Sequence, residues 1–324
     1  MNMLNIKARR SEDPGIGTNF DKPLDRLVGK DGRFHVRRLG EATGLREGFV
    51  ALATMPTGQL VITFVLGYLG MNLIFGSLYM LVGVENLGNA NLTTLTGRWL
   101  SAIGMSVQTL TTVGYGSLYP NSPATWTLAA VEGVFGILGF SLVSAVIYAR
   151  FARPSMRIAY SEHALFAPFR EGWSFQLRLA NRRSTMLVEA EARLMLVMAD
   201  VDDQGERLNY YNLKLQLDRV SFLPLSWTLV HPIDGDSPLA GISYDEMVQR
   251  RAEVILVLKG TDEGYMQQVI TRHSYRYDEM VWGARYIRAF SARKGSMQLD
   301  LDKLSDHQRV EAPERMPNGQ GVLA

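Results

Sequence analysis

Residues 112–116 read Thr-Val-Gly-Tyr-Gly, a run in which two glycines alternate with larger side chains. When four copies of such a loop surround an axis, rings of backbone carbonyls point inward and replace the water shell of a potassium ion. Gly114 and Gly116 permit backbone conformations that a Cβ would disfavour. We predict a selectivity filter over Thr112–Gly116, with K+ at Thr112, Val113, Gly114 and Tyr115 and with the Val113 and Tyr115 side chains packed on a supporting helix. A glycine turn in a β-hairpin is the alternative interpretation.

Two long apolar stretches flank this loop and must position it. Residues 58–82 carry no charged side chain, and residues 126–151 carry only Glu132 and Arg150. Each stretch exceeds the roughly 20 residues that a helix needs to cross a bilayer core. Between them, residues 99–111 form a short apolar helix candidate that leads into the glycine motif. The pattern predicts a pore domain over 58–152, built from a first span, a re-entrant helix, the filter and a second span.

After residue 153 the long apolar runs give way to short alternating ones, which is typical of an antiparallel β-sandwich. The predicted strands cover residues 174–181, 187–197, 210–217, 227–231, 253–260 and 269–275. We therefore predict a cytoplasmic β-sandwich over 153–302. Residues 303–324 are polar and contain Pro313 and Pro317, so we expect a flexible tail.

The basic residues predict the orientation in the membrane. Arginines and lysines precede the first span and follow the second, whereas the intervening loop has little beyond Arg98. Because cationic flanks stay cytoplasmic, both termini should lie on the cytoplasmic side of a bacterial inner membrane. Residues 1–57 would form a cytoplasmic N-terminal segment, in which 47–55 is a short amphipathic helix at the membrane surface.

Composition excludes several classes of protein. The formal net charge of +2 is too small to favour a nucleic-acid partner. The chain has no cysteine, so it forms no disulfides or thiolate metal sites, and its five histidines are scattered. We predict no cofactor; K+ would be the permeant ion.

Five motifs, one of which contains the glycine motif, together carry a specific resemblance to a known protein family. They are SVQTLTTVGYGSLYP (106–120), ARFARP (149–154), RLANRR (178–183), LSWTLVHPIDGDSPLAG (225–241) and RHSYRYDEMVWGARY (272–286). Over residues 45–300 the chain resembles the prokaryotic inward-rectifier potassium channels. The resemblance implies a homotetramer with a two-helix pore module, a re-entrant pore helix and a cytoplasmic immunoglobulin-like β-sandwich.

The same resemblance implies roles for three residues of the second span. Gly136 falls on the hinge position of the inner helix, Phe140 on the cavity position and Tyr148 on the inner bundle crossing. Helical spacing puts all three on one stripe, and four Tyr148 rings would form an apolar constriction that gates by dewetting. Alternatively, the three residues only pack against the first span, with Gly136 allowing close helix approach.

Two polar residues are candidates for filter support. Relatives pair an acid in the pore helix with an arginine after the glycine motif, whereas this chain has Gln108 and Leu118 there. That ion pair cannot form, which leaves Glu132 as the carboxyl candidate behind the filter. A hydrated carboxyl near the outer membrane surface is the alternative for Glu132. Because Phe140 brings no charge to the cavity, strong voltage-dependent block is not expected.

On the cytoplasmic side, Arg150, Arg153 and Arg157 are candidate ligands of anionic lipid, at about 1 kcal/mol per cation near the membrane surface. The alternative is that they are only positive-inside anchors. Glu189 aligns with an acid that lines the cytoplasmic vestibule in relatives, although a lone surface glutamate would look the same. Residues 264–271 correspond to a loop that narrows the cytoplasmic pore, or to a plain turn and strand.

Two rival functions start from other features. Ser226, His231 and Asp234 supply a hydroxyl, an imidazole and a carboxylate, but no nucleophile-elbow sequence surrounds Ser226. A membrane-anchored β-sandwich that only senses a ligand would leave the glycine motif between two spans unexplained. We therefore predict a passive potassium channel with no enzymatic activity, regulated by lipid or from the cytoplasm.

Overall fold

A computed structural model describes residues 11–20, 26–30, 32–34, 44–152, 156–183, 185–202, 205–293 and 296–317. The chain forms two compact units. The first is Leu39–Arg153, and the second combines Met1–Arg38 with Pro154–Ala324. The unit that follows the membrane spans therefore also includes the N-terminal part of the chain.

The Leu39–Arg153 unit is helical. Its helices and its one small strand pair are α1 (Leu45–Thr54), α2 (Thr57–Val82), α3 (Leu95–Leu110), α4 (Pro123–Phe151), β2 (Leu87–Gly88) and β3 (Tyr119–Pro120). Pro56 separates α1 from α2, because proline lacks the N–H that would continue the helix. In both α2 and α4 fewer than a quarter of the residues in the most apolar window are buried, so most of their apolar surface faces outward. Both helices are long and apolar enough to cross a membrane.

Two helices begin earlier than their apolar runs predicted. The re-entrant helix was expected from residue 99, but α3 begins at Leu95, because the Thr94 side chain accepts a hydrogen bond from the backbone N–H of Gly97. The second span was expected from residue 126, but α4 begins at Pro123, where Ser122 and Thr125 form a reciprocal capping pair. Polar caps start these helices, and hydropathy does not register them.

The second unit is a β-structure of two larger sheets and two smaller two-stranded sheets, β14-β17 and β15-β16. Its strands are β1 (Asn19–Phe20), β4 (Ile158–Tyr160), β5 (Ala164–Phe169), β6 (Gly172–Asn181), β7 (Leu187–Asp202), β8 (Gly205–Leu213), β9 (Arg219–Phe222), β10 (Ser226–Ile233), β11 (Glu253–Asp262), β12 (Gln267–Arg276), β13 (Met280–Trp282), β14 (Ala284–Tyr286), β15 (Phe290–Arg293), β16 (Ser296–Leu299) and β17 (His307–Arg309). A short helix, α5 (Tyr244–Gln249), follows β10.

The two larger sheets share one core. The first has the order β1-β8-β7-β11-β12 with β9 on β7, and the second has the order β10-β6-β5-β13 with β4 on β6. All of these pairs are antiparallel except β5 with β13. Phe175 and Leu177 from one sheet and Leu196 and Leu256 from the other belong to a single buried cluster. In β10 every second residue is buried, which matches the alternation visible in the sequence.

The N-terminal segment is part of this β-unit, which the sequence did not indicate. Strand β1 pairs with β8, and Leu27 and Val28 are buried. The buried carboxylate of Glu253 accepts hydrogen bonds from the backbone N–H groups of Leu27 and Val28, at 2.9 and 3.3 Å. Arg26 donates to the carbonyl of Ser274 at 2.6 Å. Residues before the first span therefore contribute to the folded β-unit.

The prediction of a flexible tail from residue 303 was wrong for the residues up to 317. Leu304 and Met316 are buried, β17 pairs with β14, and the Trp282 indole N–H donates to the carbonyl of Pro313 at 2.8 Å. Polar composition suggested a loose tail, but a few buried apolar side chains and backbone hydrogen bonds hold this segment. The last seven residues lie outside the described part of the chain. The predicted strand at 210–217 overlaps β8 only as far as Leu213.

Candidate functional site

The backbone of the glycine motif alternates in conformation from residue to residue. The φ angles of Thr112, Gly114 and Gly116 are +61°, +57° and +77°, whereas those of Val113 and Tyr115 are negative. Alternation of this kind turns successive carbonyls toward the same side, where a strand would turn them to opposite sides. A Cβ on Gly114 or Gly116 would meet no atom within 4 Å, so φ, and not space, requires glycine there. At Thr112 the positive φ costs about 1–3 kcal/mol.

Gln108 holds the two ends of this loop together. Its side chain is buried and donates from Nε2 to the carbonyl of Leu118 at 2.6 Å, while its own carbonyl accepts from the N–H of Gly114 at 3.2 Å. The loop leaves α3 through a further bond from the Thr112 N–H to the Thr109 carbonyl. The sequence excludes an ion pair at this place, and the residue Gln108 instead connects both Gly114 in the loop and Leu118 after it.

Glu132 lies at the meeting point of three helices and is 0% exposed. Its Oε2 accepts from the Tyr79 hydroxyl of α2 at 2.9 Å, and its Oε1 accepts from the Ser106 hydroxyl of α3 at 2.5 Å. Ser106 also lies 3.2 Å from Oδ1 of Asn72. The alternative of a hydrated carboxyl is therefore wrong for Glu132. Tyr79, Ser106 and Asn72 were not among the predicted site residues, although a polar amide within an apolar span was a signal for Asn72.

Gly136 is the place where α4 passes the end of α3. A Cβ on Gly136 would overlap the carbonyl oxygen of Leu110 and would lie 3.1 Å from its carbonyl carbon. Contact with backbone cannot be relieved by a rotamer change. Gly136 therefore permits a close helix approach, but the helix it approaches is α3 and not the first span named in the alternative prediction.

Several predicted pore residues are largely exposed in the part of the chain that the structure describes. Phe140 and Tyr148 are 76% and 75% exposed, and Phe140 borders a cleft of about 680 Å³ that also reaches Thr112. Val113 and Tyr115 were expected to pack on the supporting helix, but they are 54% and 79% exposed. That expectation was wrong, because more than half of each side chain is exposed.

The three predicted lipid-binding arginines differ in their surroundings. Nη2 of Arg150 donates to the carbonyl of Met55 at the end of α1, at 2.5 Å, and Nη1 of Arg150 is buried without a partner among the described residues. Arg157 is exposed. Arg153 lies outside the described residues. Arg150 is thus engaged within its own unit, whereas Arg157 is available to a ligand.

Glu189 sits at an irregularity in β7. Its φ is +49°, which is unusual for a residue other than glycine, and the pairing with β11 shifts between Lys259 and Thr261 beside it. Its carboxylate is 61% exposed and lies 4.0 Å from Arg219. A pair this exposed contributes little stability.

The residues of the rival enzyme hypothesis do not converge. His231 is buried, with Nδ1 2.7 Å from the Lys214 carbonyl and Nε2 2.8 Å from the Ser237 hydroxyl. Neither nitrogen contacts Ser226 or Asp234. Burial lowers the pKa of His231, as expected for a structural imidazole. Across the described ranges no three His, Asp or Glu side chains are grouped as a metal site.

Comparison with known proteins identifies the two units separately. The family of inward rectifier potassium channel C-terminal domains matches residues 158–319, and an ion channel family matches residues 68–153. Over 286 residues the chain is 32% identical to the inward rectifier potassium channel Kirbac3.1 of Paramagnetospirillum magnetotacticum, covering 87% of this chain and 95% of the relative. The chain belongs to the inward rectifier potassium channel family. The predicted family and the predicted two-part fold are thereby confirmed.

More distant inward rectifiers match as well. The ATP-sensitive inward rectifier potassium channel 12 of Mus musculus is 26% identical, over 83% of this chain and 67% of its own length. Among solved structures, the sporulation control protein Spo0M of Bacillus subtilis aligns at a TM-score of 0.21 with 14% identity, over 42% of this chain and 58% of that protein. That last likeness is too weak to support any argument. The family is one of ion channels and not of enzymes.

Proposed function

We propose that this inward rectifier channel conducts K+ passively through a pore formed by four copies of the chain, with Thr112–Gly116 of each copy as one quarter of the filter. The observation that carries the proposal is the alternation of φ along the motif. It directs successive carbonyls to one side, as a ring of oxygen ligands requires. Thr112, Val113, Gly114 and Tyr115 would supply those oxygens.

The need for four copies follows from what one copy leaves incomplete. A single loop provides one oxygen at each level, which cannot replace a hydration shell. The side chains of Val113 and Tyr115 are more than half exposed in the described part of the chain. In the proposed homotetramer a neighbouring copy covers them and holds the loop open.

Support for the filter comes from the two polar groups behind it. Gln108 ties the loop to its return through Leu118, and Glu132 joins α2, α3 and α4. A buried acid in a membrane helix is expensive and persists where its hydrogen bonds are satisfied. We assign both residues to positioning the filter.

The remaining pore residues follow from the helix stripe. Phe140 would line the cavity, Tyr148 would form the inner constriction, and Gly136 would allow α4 to bend or pack beside α3. Exposed Glu189 would add a carboxylate to the cytoplasmic part of the pathway and concentrate cations there. Residues 264–271, which form the β11–β12 turn and the start of β12, would narrow the same pathway.

Orientation and lipid control form the last part of the proposal. Basic residues before the first span and after the second favour termini on the cytoplasmic side of a bacterial inner membrane. Exposed Arg157, with Arg153, would bind anionic lipid headgroups. Arg150 would contribute its unpartnered Nη1, while its other nitrogen holds α1.

The test is rubidium uptake into liposomes that contain the Gly116→Ala variant. Because the φ of Gly116 is +77°, alanine is strained there although space is open, and uptake should be lost while the tetramer persists. Gly70→Ala is the matched control, because its Cβ also meets no atom within 4 Å and Gly70 lies in regular α2. Wild-type uptake and selectivity for K+ over Na+ in an assembled Gly116→Ala tetramer would overturn the filter assignment.

A further inference from the structure

Two of the five histidines, which are scattered along the sequence, meet in the β-unit. The ring centroids of His163 and His307 lie 5.9 Å apart, and the ring planes make an angle of 65°. His163 immediately precedes β5, and His307 is the first residue of β17. Both side chains are half-buried, so solvent can reach them. The potassium pathway proposed above uses neither residue.

The backbone on both sides of this histidine pair is held by hydrogen bonds. His307 is the cross-strand partner of Tyr286 in the β14–β17 sheet, and the Tyr286 hydroxyl donates to the carbonyl of His163 at 2.6 Å. The backbone N–H of Glu162 donates to the hydroxyl of Ser305 at 2.9 Å. The two histidines are therefore held beside each other before any ligand binds, which reduces the entropy lost on binding.

The hydrogen bonds of the two rings determine which nitrogens are available. Nδ1 of His307 lies 2.9 Å from the carbonyl oxygen of Ser305. Because a carbonyl only accepts, Nδ1 carries the proton of the neutral ring, and Nε2 presents a lone pair. A histidine that binds a metal usually donates its other N–H to such a carbonyl or to a carboxylate. Neither ring nitrogen of His163 has a hydrogen-bond partner among the described residues.

The separation of the two rings suits one shared metal ion. Zn2+ lies about 2.0–2.1 Å from a histidine nitrogen, and hence about 3.2 Å from the ring centroid. Two rings on one tetrahedral ion therefore have centroids about 5–6 Å apart. The observed 5.9 Å falls within this range. A rotation of the His163 ring, which breaks no hydrogen bond to the described residues, is enough to point both nitrogens at one ion.

We propose that His163 and His307 together bind a divalent transition-metal ion of the kind that prefers imidazole ligands, such as Zn2+. Water fills the remaining positions, because no third His, Asp or Glu of the described residues joins the pair. Two protein ligands make this site weaker than a structural zinc site, which has four. The ion joins the start of β5 to β17, and so ties the segment after residue 303 to the β-sandwich.

The experiment is a calorimetric titration of the full-length channel in detergent, without an affinity tag, with Zn2+. Wild type should bind Zn2+ saturably, and excess Mg2+ should not displace it, because Mg2+ prefers oxygen ligands. His163→Gln and His307→Gln should each weaken binding at least about tenfold, since loss of even an outer partner of a metal ligand costs that much. Absence of saturable binding, or displacement by Mg2+, would overturn the proposal.

A matched variant separates a shared ion from attraction by charge alone. Asp306→Asn removes an exposed carboxylate next to His307 but no ring nitrogen. It should change the affinity for Zn2+ by less than about threefold, as expected for an exposed charge. If only one of the two histidine variants lost affinity, or neither did, the ion would not be shared by the pair and the proposal would be wrong.

A second measurement on wild type needs no variant to fold. Because an ion that binds only the folded state stabilises the structure around it, Zn2+ should slow the hydrogen exchange of β17 and of its partner β14. The neighbouring β15–β16 sheet, which contains neither histidine, is the internal control and should exchange at an unchanged rate. Saturable Zn2+ binding without slower exchange in β17 would show that the ion lies elsewhere.

Discussion

Replacing Gly136 with alanine tests the close contact between α4 and the end of α3. The added Cβ would overlap the backbone carbonyl of Leu110, and the three nearest atoms all belong to the backbone of that residue. No side-chain rotation can make room. Either α4 moves away from α3, or the end of α3 shifts, two residues before Thr112.

The expected magnitude comes from two opposing effects. Overpacking typically destabilises by about 1–3 kcal/mol, whereas exchanging glycine for alanine in a helix stabilises by roughly 0.8–1.0 kcal/mol. Gly133 and Gly139 lie in the same helix, and a Cβ at either meets no atom within 4 Å. Those two variants should show only the favourable helix effect. The difference between Gly136→Ala and its controls should therefore be about 1–3 kcal/mol.

The assay is the temperature at which the purified channel loses its assembled state in detergent, followed by rubidium uptake at a temperature where all variants are intact. Gly136→Ala should melt below both controls and should take up rubidium more slowly, because a displaced Leu110 moves the entrance of the filter. Gly133→Ala and Gly139→Ala should melt at or slightly above wild type. If Gly136→Ala matched its two controls, the close contact with Leu110 would not exist in the working channel.

Three further predictions concern polar groups. Ser106→Ala removes one of two hydrogen bonds to Glu132 and should destabilise the channel by about 1–3 kcal/mol. In a double-mutant cycle with Glu132→Gln, the two changes in stability should not add. Simple additivity would contradict the hydrogen bond. Burial lowers the pKa of His273 from 6.5 to about 4, so between these pH values the unfolded chain binds more protons than the folded one. The free energy of unfolding should therefore fall by about 3 kcal/mol from pH 6.5 to pH 4. Denaturant titrations should show a shallower pH dependence for His273→Gln than for wild type, and the same pH dependence in both would refute this prediction. Arg150→Gln should destabilise the end of α1 by about 1–2 kcal/mol. Hydrogen exchange around Met55 should then be faster in Arg150→Gln but not in an Arg98→Gln control. Unchanged exchange in Arg150→Gln would show that Arg150 does not hold α1.

How much of the site was predictable differs between backbone and side chains. The glycine motif could be read directly, because φ requirements belong to individual residues and glycine meets them without help from distant chain. The side chains of Val113 and Tyr115 were placed wrongly, since what covers a side chain depends on tertiary packing and not on residue type or spacing. The roles of the predicted site residues remain predictions, as do the domain limits outside the observed helices and strands.

The amino-acid sequence by itself determined the two apolar spans, the motif between them and the succession of strands, because hydrophobic length and residue alternation are properties of contiguous chain. Only the tertiary structure decided that Glu132 meets Tyr79 and Ser106, and that Glu253 receives the N-terminal segment. These partners lie 53, 26 and 226 residues apart. A buried carboxylate must find donors wherever packing brings them, and no local pattern in the chain records which donors those will be.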